Sequence, residues 1–248
     1  MRLGVVIPVY NERELLARSL DRLEATPPPK TPDGGACERV IYLIDDGSTD
    51  GTREVVESLA QRPGVRTSLA ERNQGKGAAL RRGFAMALED ACDVVIVQDA
   101  DLEYDPADHA IALAPILDGR ADAVIGTRFL GQTHRVLYYW HAVGNKLITL
   151  ASNTFSNLNL TDIECGTKAF TRDVLSRLVL NEDRFGIEPE IVARLARLRL
   201  PVEGGAPRRV RIYEVPVSYA GRTYEEGKKI GWRDALSALR CIITYNLL

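Results

Sequence analysis

The sequence predicts an α/β protein built on an open, mostly parallel sheet flanked by helices. Through the first half of the chain, short apolar runs alternate with segments whose apolar residues recur at helical spacing. Val94–Val97 is apolar at every position, which is typical of a parallel strand buried on both faces. Ligands of such sheets bind outside the carboxyl ends of the strands, so we expect the functional residues to lie there.

The first half follows this pattern element by element. Strands are predicted at Leu3–Pro8, Val40–Ile44, Val65–Leu69, Val94–Val97 and Ala123–Gly126. The residues expected on the inner faces of the helices are Leu15, Leu16, Leu20 and Leu23, then Val55, Val56 and Leu59, then Leu80, Phe84 and Leu88 within Gly77–Glu89. We expect Asn11 to cap the first helix. Prolines and glycines make Thr26–Ala36 a surface loop.

The second half is less regular. Helices are predicted over His134–Phe155 and Glu190–Leu198, and a strand over Val210–Tyr219, where Pro216 indicates a sheet edge. A last helix carries an apolar stripe formed by Trp232, Leu236, Leu239, Ile243 and Leu247. The segment Val202–Arg209 has no interpretation from its sequence.

Composition narrows the class of protein. The chain has 248 residues, a net charge of −2 and a pI near 6.0, so no global attraction to nucleic acid is expected. Its four cysteines are scattered without a C-x-x-C pair, as in a reduced intracellular protein without structural zinc. No run approaches the ~20 apolar residues of a membrane helix, so we expect membrane contact to be peripheral.

Polar clusters stand where three predicted strands end: Pro8–Glu12, Asp45–Thr52 and Gln98–Glu103. For each of the first two clusters, a structural role explains the residues as well as a functional one. Pro8–Glu12 could be a helix cap, and Asp45–Thr52 could be a turn. The third contains Asp99 and Asp101, whose carboxylates repel each other unless a cation holds them. Hard oxygen ligands suit Mg²⁺ or Mn²⁺ bound to substrate phosphates, so this pair predicts a metal site.

A larger set of motifs spans almost the whole chain. They are Val6–Glu12, Asp45–Thr52, Asn73–Gly77, Asp99–Leu102, Gly126–Phe129, Asp162–Phe170, Phe185–Glu188, Glu214–Val217 and Arg222–Lys229. In this order they resemble the family 2 glycosyltransferases of GT-A fold, most of all the dolichyl- and polyprenyl-phosphate mannosyl- and glucosyltransferases. The resemblance implies one GT-A domain, with residues 1–129 as the Rossmann-like nucleotide-sugar half and 130–248 as the acceptor half.

The resemblance also implies roles for individual residues. Those expected to bind the nucleotide sugar are Pro8, Val9, Tyr10, Glu12, Asp46, Ser48, Lys76, Gly77 and Asp99. Asp99 and Asp101 are expected to place the metal on the diphosphate. Arg128 is expected to contact the acceptor phosphate, and Arg222, Lys228 and Lys229 to form a basic segment that closes over the diphosphate. Some relatives have an arginine near the position of Asn145, where Lys146 is a candidate replacement.

The implied reaction is inverting transfer of a hexose, from a donor such as GDP-mannose or UDP-glucose, to a polyprenyl phosphate such as dolichyl or undecaprenyl phosphate. A phosphate monoester, with a second pKa of ~6, is already ionised at neutral pH and needs no strong base. A sugar hydroxyl would need one, and Asp162, Glu164 and Glu188 are the candidates. The same three carboxylates could instead only orient basic residues.

Three other interpretations stay open to test. One is a soluble glycosyltransferase acting on a sugar or natural-product hydroxyl. A non-catalytic nucleotide-binding module is disfavoured by the intact acidic pair and basic segment. A dinucleotide oxidoreductase is disfavoured because Leu80 stands where the G-x-G-x-x-G fingerprint needs glycine, and no P-loop motif occurs either.

The final predicted helix bears on location. Its apolar stripe lies near Lys228, Lys229, Arg233 and Arg240, a pattern typical of an interfacial helix attracted to anionic lipid. The alternative is a terminal helix whose stripe packs into the core. We therefore expect a cytoplasmic protein with peripheral contact at the inner face of the membrane.

Overall fold

A seven-stranded sheet, ordered β3-β2-β1-β4-β6-β5-β9, runs through the part of the chain that the structure describes. The computed structural model describes residues 1–131, 135–136, 138–222 and 232–247. The strands are β1 (Arg2–Val9), β2 (Glu38–Asp45), β3 (Val65–Leu69), β4 (Val94–Val97), β5 (Ala123–Thr127), β6 (Lys168–Thr171), β7 (Arg199–Val202), β8 (Gly205–Arg209) and β9 (Ile212–Pro216). The helices are α1 (Leu16–Ala25), α2 (Thr52–Leu59), α3 (Lys76–Glu89), α4 (His109–Leu117), α5 (Tyr139–Ser156), α6 (Arg172–Leu175), α7 (Ile187–Arg197) and α8 (Trp232–Leu247).

Strand pairing confirms the predicted fold class. β1 pairs in parallel with β2 and β4, β2 with β3, and β5 with β9. β9 lies at the edge of the sheet, as Pro216 indicates. The sequence did not predict β6, which inserts antiparallel between β4 and β5. This strand has only four residues and begins at Lys168, so it lacks the apolar run that marks its neighbours.

Helices cover both faces of the sheet. Neighbouring residues of β1 point in opposite directions, so the strand contributes side chains to an apolar cluster on each face. Val6 belongs to the apolar cluster under α3 and α7, whereas Val5 and Ile7 belong to the cluster under α1, α2 and α4. Gly83 lets α3 lie close against the sheet, since a Cβ there would stand 2.4 Å from Cγ1 of Val6. This tight packing sets the first residue of α3, Lys76, at the carboxyl edge of the strands.

The prediction that Asn11 caps the first helix is wrong. α1 begins at Leu16, and Asn11 has a left-handed backbone with φ 52°. Its side-chain oxygen instead accepts a hydrogen bond from the Thr49 amide at 2.9 Å. Asparagine tolerates this conformation better than most residues, so Asn11 joins the loops that follow β1 and β2.

The apolar stripes of α5 and α8 face away from the core. In α5, Trp140 and Leu147 are 76% and 61% exposed. In α8, Ala238 and Ile242 are buried, while the stripe residues Leu236, Leu239, Ile243 and Leu247 are all exposed. The side chain of Trp232 lies outside the described residues. The alternative in which this stripe packs into the core is therefore wrong for its described members.

The segment 202–209, which the sequence left uninterpreted, forms most of a hairpin of β7 and β8. Asp122, at the foot of β5, anchors it by hydrogen bonds from Arg208 and Arg211. No helix in the described part of the chain has the length and apolar character needed to cross a membrane.

Candidate active site

A cavity of about 410 Å³ opens at the carboxyl ends of β1, β2, β4 and β5. The predicted site residues that line it are Pro8, Val9, Tyr10, Glu12, Asp46, Lys76, Asp99, Asp101, Arg128, Glu164 and Arg222. Ser48, Gly77 and Asp162 are not part of the lining, and Lys228 and Lys229 lie outside the described residues. The cavity therefore opens at the edge of the sheet where the parallel-sheet rule expects ligands to bind.

Two loops are joined beside the cavity by side-chain to backbone hydrogen bonds. The Asn11 amide donates to the Ser48 hydroxyl at 2.9 Å, and the Glu12 amide donates to the Thr52 hydroxyl at 2.9 Å. Ser48 therefore supports the loop that follows β1. The segment Pro8–Tyr10 is left along the cavity wall.

Asp46 holds a third loop against the cavity. Its carboxylate accepts hydrogen bonds from the amides of Gln74 and Gly75 at 3.1 and 2.6 Å, and Arg82 donates to it at 2.9 Å. Asp46 is almost fully buried, and this burial raises the pKa of its carboxyl. Arg82 supplies the charge that offsets the cost of burying a carboxylate.

Four carboxylates converge in the cavity, and two cationic side chains offset only part of their charge. Arg222 lies 2.9 Å from Asp101, 3.1 Å from Glu103 and 3.3 Å from Glu12. Lys76 lies 2.9 Å from Asp99. Burial and then the charges of Asp99 and Glu103 raise the pKa of Asp101 to about 7. Crowded, desolvated carboxylates of this kind favour a bound cation.

The acidic pair fits one style of metal binding. The described residues contain no cluster of three or more His, Cys, Asp or Glu side chains arranged around a metal position. Mg²⁺ commonly needs only one or two carboxylates when substrate phosphates and waters complete its shell. Asp99 and Asp101 suit that arrangement, whereas a self-sufficient protein cage would need more ligands.

Arg128, which also lines the cavity, is held by Asp162. Its Nε and Nη2 atoms lie 2.6 and 2.8 Å from the two Asp162 oxygens, and Asn145 donates to the same carboxylate at 3.1 Å. Burial acts to raise the pKa of Asp162, but the ion pair outweighs it and the pKa lies below its usual value. Both carboxylate oxygens of Asp162 are therefore engaged in orienting Arg128. Neither is free to accept a proton as a general base. Asn145 contributes to the same cluster.

Glu164 and Glu188 differ sharply in their surroundings. Glu188 forms ion pairs with Lys76 at 3.0 Å and with the buried Lys168. Glu164 has one buried oxygen without a hydrogen-bond partner among the described residues. Burial, with the nearby charge of Glu188, raises the pKa of Glu164 to about 7. This pKa suits Glu164 to exchange a proton near neutral pH.

The sequence did not single out several residues of the cavity. Asn73, Tyr104, Arg184, Phe185 and Tyr219 line it without an assigned role. Phe185 is the first residue of the motif Phe185–Glu188. That motif was the feature of the sequence that could have identified this part of the cavity lining. Lys168 and Arg82 hold Glu188 and Asp46 in place, and the sequence gives no sign of these long-range pairs.

Comparison with known proteins gives the family. The model of glycosyl transferase family 2 matches residues 4–179. An undecaprenyl-phosphate mannosyltransferase from Micrococcus luteus is 30% identical over 239 residues, which cover 93% of this chain and 88% of the relative. A polyprenol monophosphomannose synthase from Mycolicibacterium smegmatis is 32% identical, with 71% of this chain and 64% of the relative covered.

Length and fold comparisons add two facts. The chain spans between 54% and 64% of six other curated relatives, the M. smegmatis protein among them. A Mycobacterium tuberculosis glucosyl-3-phosphoglycerate synthase, crystallised with Mn²⁺, UDP and phosphoglyceric acid, is similar with a TM-score of 0.70. The match covers 100% of this chain and 79% of that one at 18% identity, so it bears on fold alone. The chain belongs to glycosyl transferase family 2 and is a glycosyltransferase of GT-A fold.

Proposed function

We propose that the protein transfers a hexose, with inversion, from a nucleotide sugar to a polyprenyl phosphate. The observation that carries the proposal is that one cavity is lined both by a cluster of carboxylates and by a guanidinium of fixed orientation, Arg128. The two curated relatives described above are named for polyprenyl-phosphate acceptors. Donors of the GDP-mannose and UDP-glucose types both suit the cavity chemistry.

On the donor side, Pro8–Tyr10 and Asp46 bind the nucleoside, and Lys76 meets the phosphates. Asp99 and Asp101 would hold Mg²⁺ or Mn²⁺, which supplies positive charge for the departing diphosphate when bound. The guanidinium of Arg222 lies 2.9 Å from the Asp101 carboxylate. The diphosphate competes for its guanidinium, so Arg222 passes from the carboxylates to the leaving group and stabilises it electrostatically.

On the acceptor side, Arg128 binds the phosphate monoester and turns an oxygen toward the anomeric carbon. Burial acts to lower the pKa of Arg128, but Asp162 outweighs it and the pKa lies well above its usual value, so Arg128 stays charged. The nucleophile is already ionised at neutral pH, so positioning replaces general-base catalysis.

A second candidate function is transfer to a sugar or natural-product hydroxyl. One observation favours it: the Glu164 carboxyl lines the cavity, with a pKa raised to about 7 and an oxygen without a partner among the described residues. A hydroxyl acceptor needs such a base. A phosphate acceptor does not.

The outer faces of α5 and α8 support a lipid-linked acceptor. α5 packs beside α8, and together they expose what we term the α5–α8 apolar face: Trp140, Leu147, Leu150, Leu236, Leu239, Ile243 and Leu247. Exposed apolar surface of this extent is uncommon on a monomer without a partner. We propose that it rests on a bilayer at the cytoplasmic side. Of the basic flank, Arg240 is paired with Glu182, and Lys228, Lys229 and Arg233 lie outside the described side chains.

A donor screen tests the proposed function. Release of nucleoside diphosphate is measured for GDP-mannose and UDP-glucose with Mg²⁺ or Mn²⁺, with and without a polyprenyl phosphate in detergent. We expect rapid release only when the lipid phosphate is present. If release of nucleoside diphosphate instead requires a soluble sugar and does not respond to lipid phosphate, the result would favour transfer to a hydroxyl, the second candidate function.

A further inference from the structure

Glu182 stands at the junction of three helices but lies outside the cavity lining. Its side chain accepts hydrogen bonds from Arg240 at 2.6 Å and from the Tyr245 hydroxyl at 2.9 Å, both on α8. Its amide donates to Glu190 of α7 at 2.8 Å, and its carbonyl accepts from Arg81 of α3 at 2.5 Å. The Glu182 side chain is only 13% exposed.

The residues that follow Glu182 form one wall of the cavity. Arg184 and Phe185 line it directly. The Asp183 carbonyl accepts a hydrogen bond from the Ala78 amide at 3.0 Å, which ties this wall to the first turn of α3. Arg184 forms no ion pair with any described residue, so its positive charge is available to an anionic ligand.

Glycines show how closely this segment is packed. A Cβ on Gly77 would stand 2.1 Å from the Glu182 carbonyl oxygen, and one on Gly75 would stand 2.4 Å from that of Asp183. On the other side, a Cβ on Gly186 would stand 2.6 Å from Sγ of Cys241 in α8. The segment 182–186 is therefore held between the Lys76 end of α3 and the inner face of α8.

We propose that Glu182 is a positioning residue for nucleotide binding, held by Arg240 and Tyr245 of α8 so that Arg184 and Phe185 stay at the wall of the donor cavity. The inference rests on the proposed function, in which this cavity binds a nucleoside diphosphate. Loss of the α8 contacts frees Glu182 to move, and the Arg184–Phe185 wall loses its fixed position beside Lys76. Binding must then order that wall, and the conformational entropy lost in doing so weakens affinity. Every group that touches the ligand is still present.

Calorimetry on the full chain with excess Mg²⁺ tests this, with UDP and GDP as probes. The variants are Tyr245→Phe, Arg240→Met, their combination, and Glu182→Gln. Arg62→Met is the matched control, because it removes a surface ion pair with Asp21 and Glu24 away from the cavity. Thermal unfolding of each protein shows whether the fold persists.

We expect Arg240→Met and Glu182→Gln each to raise the dissociation constant about three- to tenfold, a change of the size of one ordinary hydrogen bond, because the lost contact acts only through the order of the wall. The double variant should lose less than the product of its two single effects, since both contacts act through one carboxylate. In turnover, the donor KM should rise while kcat stays near that of the wild type. Arg62→Met should lower the melting temperature at most, without changing affinity.

Equal affinity in the wild type and the folded variants would overturn the inference and leave Glu182 a purely structural link. Tyr245→Phe removes only one hydroxyl, so this variant should remain folded and keep the test valid even if another variant misfolds. If the wild type bound neither UDP nor GDP, the proposed function would fall and this inference with it. The two failures are thus distinguishable by the wild-type measurement alone.

Discussion

Arg128 and Asp162 form a two-point ion pair across 34 residues of sequence, with both guanidinium-to-carboxylate distances below 3 Å. The pair presents a guanidinium of fixed orientation to the cavity. Its geometry requires the planar fork of arginine, so lysine is not an equivalent replacement. The first prediction follows from this arrangement.

Arg128→Lys should raise the acceptor KM. The expected loss of binding free energy is about 1.5–3 kcal/mol, the range for hydrogen bonds to charged groups. Donor affinity, measured by calorimetry, should change little, because the proposed role of Arg128 is to bind the acceptor phosphate and not the diphosphate. Asp162→Asn should reproduce the defect, since it releases the same guanidinium. Equal losses for donor and acceptor would show that Arg128 serves the diphosphate instead.

Asp101→Asn should reduce turnover by about a thousandfold, because metal ions supply several kcal/mol of charge stabilisation in such reactions. Its melting temperature should stay close to that of the wild type, since a carboxylate at the end of a strand adds little packing. Excess chelator should reduce wild-type turnover in the same way, and added Mg²⁺ or Mn²⁺ should restore it. Asp118→Asn, at an exposed ion pair with Arg120, is the control. Full activity in chelator would remove the assigned metal role.

Glu164→Gln separates the two acceptor classes. With a polyprenyl phosphate, we expect kcat to change little, because no proton has to be removed from the nucleophile. With a hydroxyl acceptor, the base would be lost and kcat should fall by about 10²–10⁴. The wild-type rate would then rise with pH through about 7, the pKa of Glu164. A pH-independent rate in that range, matched by the variant, supports the phosphate acceptor.

Membrane contact should depend on the α5–α8 apolar face. We expect the wild type to sediment with anionic vesicles, and Leu147→Glu and Ile243→Glu to remain in the supernatant, because each places a charge on the buried side of the interface. Val179→Glu is the control, since Val179 is similarly exposed, at 66%, on another part of the molecule. If all four proteins remain in the supernatant at low salt, the face does not bind lipid.

Asp122 should make stability depend on pH. Its pKa is depressed, since hydrogen bonds from Arg208 and Arg211 outweigh the burial that alone would raise it. A depressed carboxyl pKa adds stability above the unfolded value of about 3.9, and this is lost as the pH falls through the folded pKa. Asp122→Asn should therefore lower the melting temperature at pH 7 and approach the wild type under strongly acidic conditions. A difference that is constant with pH would mean that charge plays no part.

The sequence by itself determined the mostly parallel sheet, and it predicted the edge of the sheet at which the cavity opens. β3 and β4 match their predicted bounds, and Asp99 and Asp101 were recognised because they directly follow the uninterrupted apolar run of β4. These features are local, since strand period and strand-end position are encoded by neighbouring residues. The membership of glycosyl transferase family 2 was equally readable, because its motifs are short and contiguous.

Only the tertiary structure decided which side chains act together. Asp162 is committed to Arg128, Glu188 to Lys76 and Lys168, and Glu182 to α8, and each pair joins distant parts of the chain. It also decided that the stripes of α5 and α8 face outward. Apolar residues at helical spacing serve a core or a surface equally well, and only the neighbours that a helix meets in the fold choose between them.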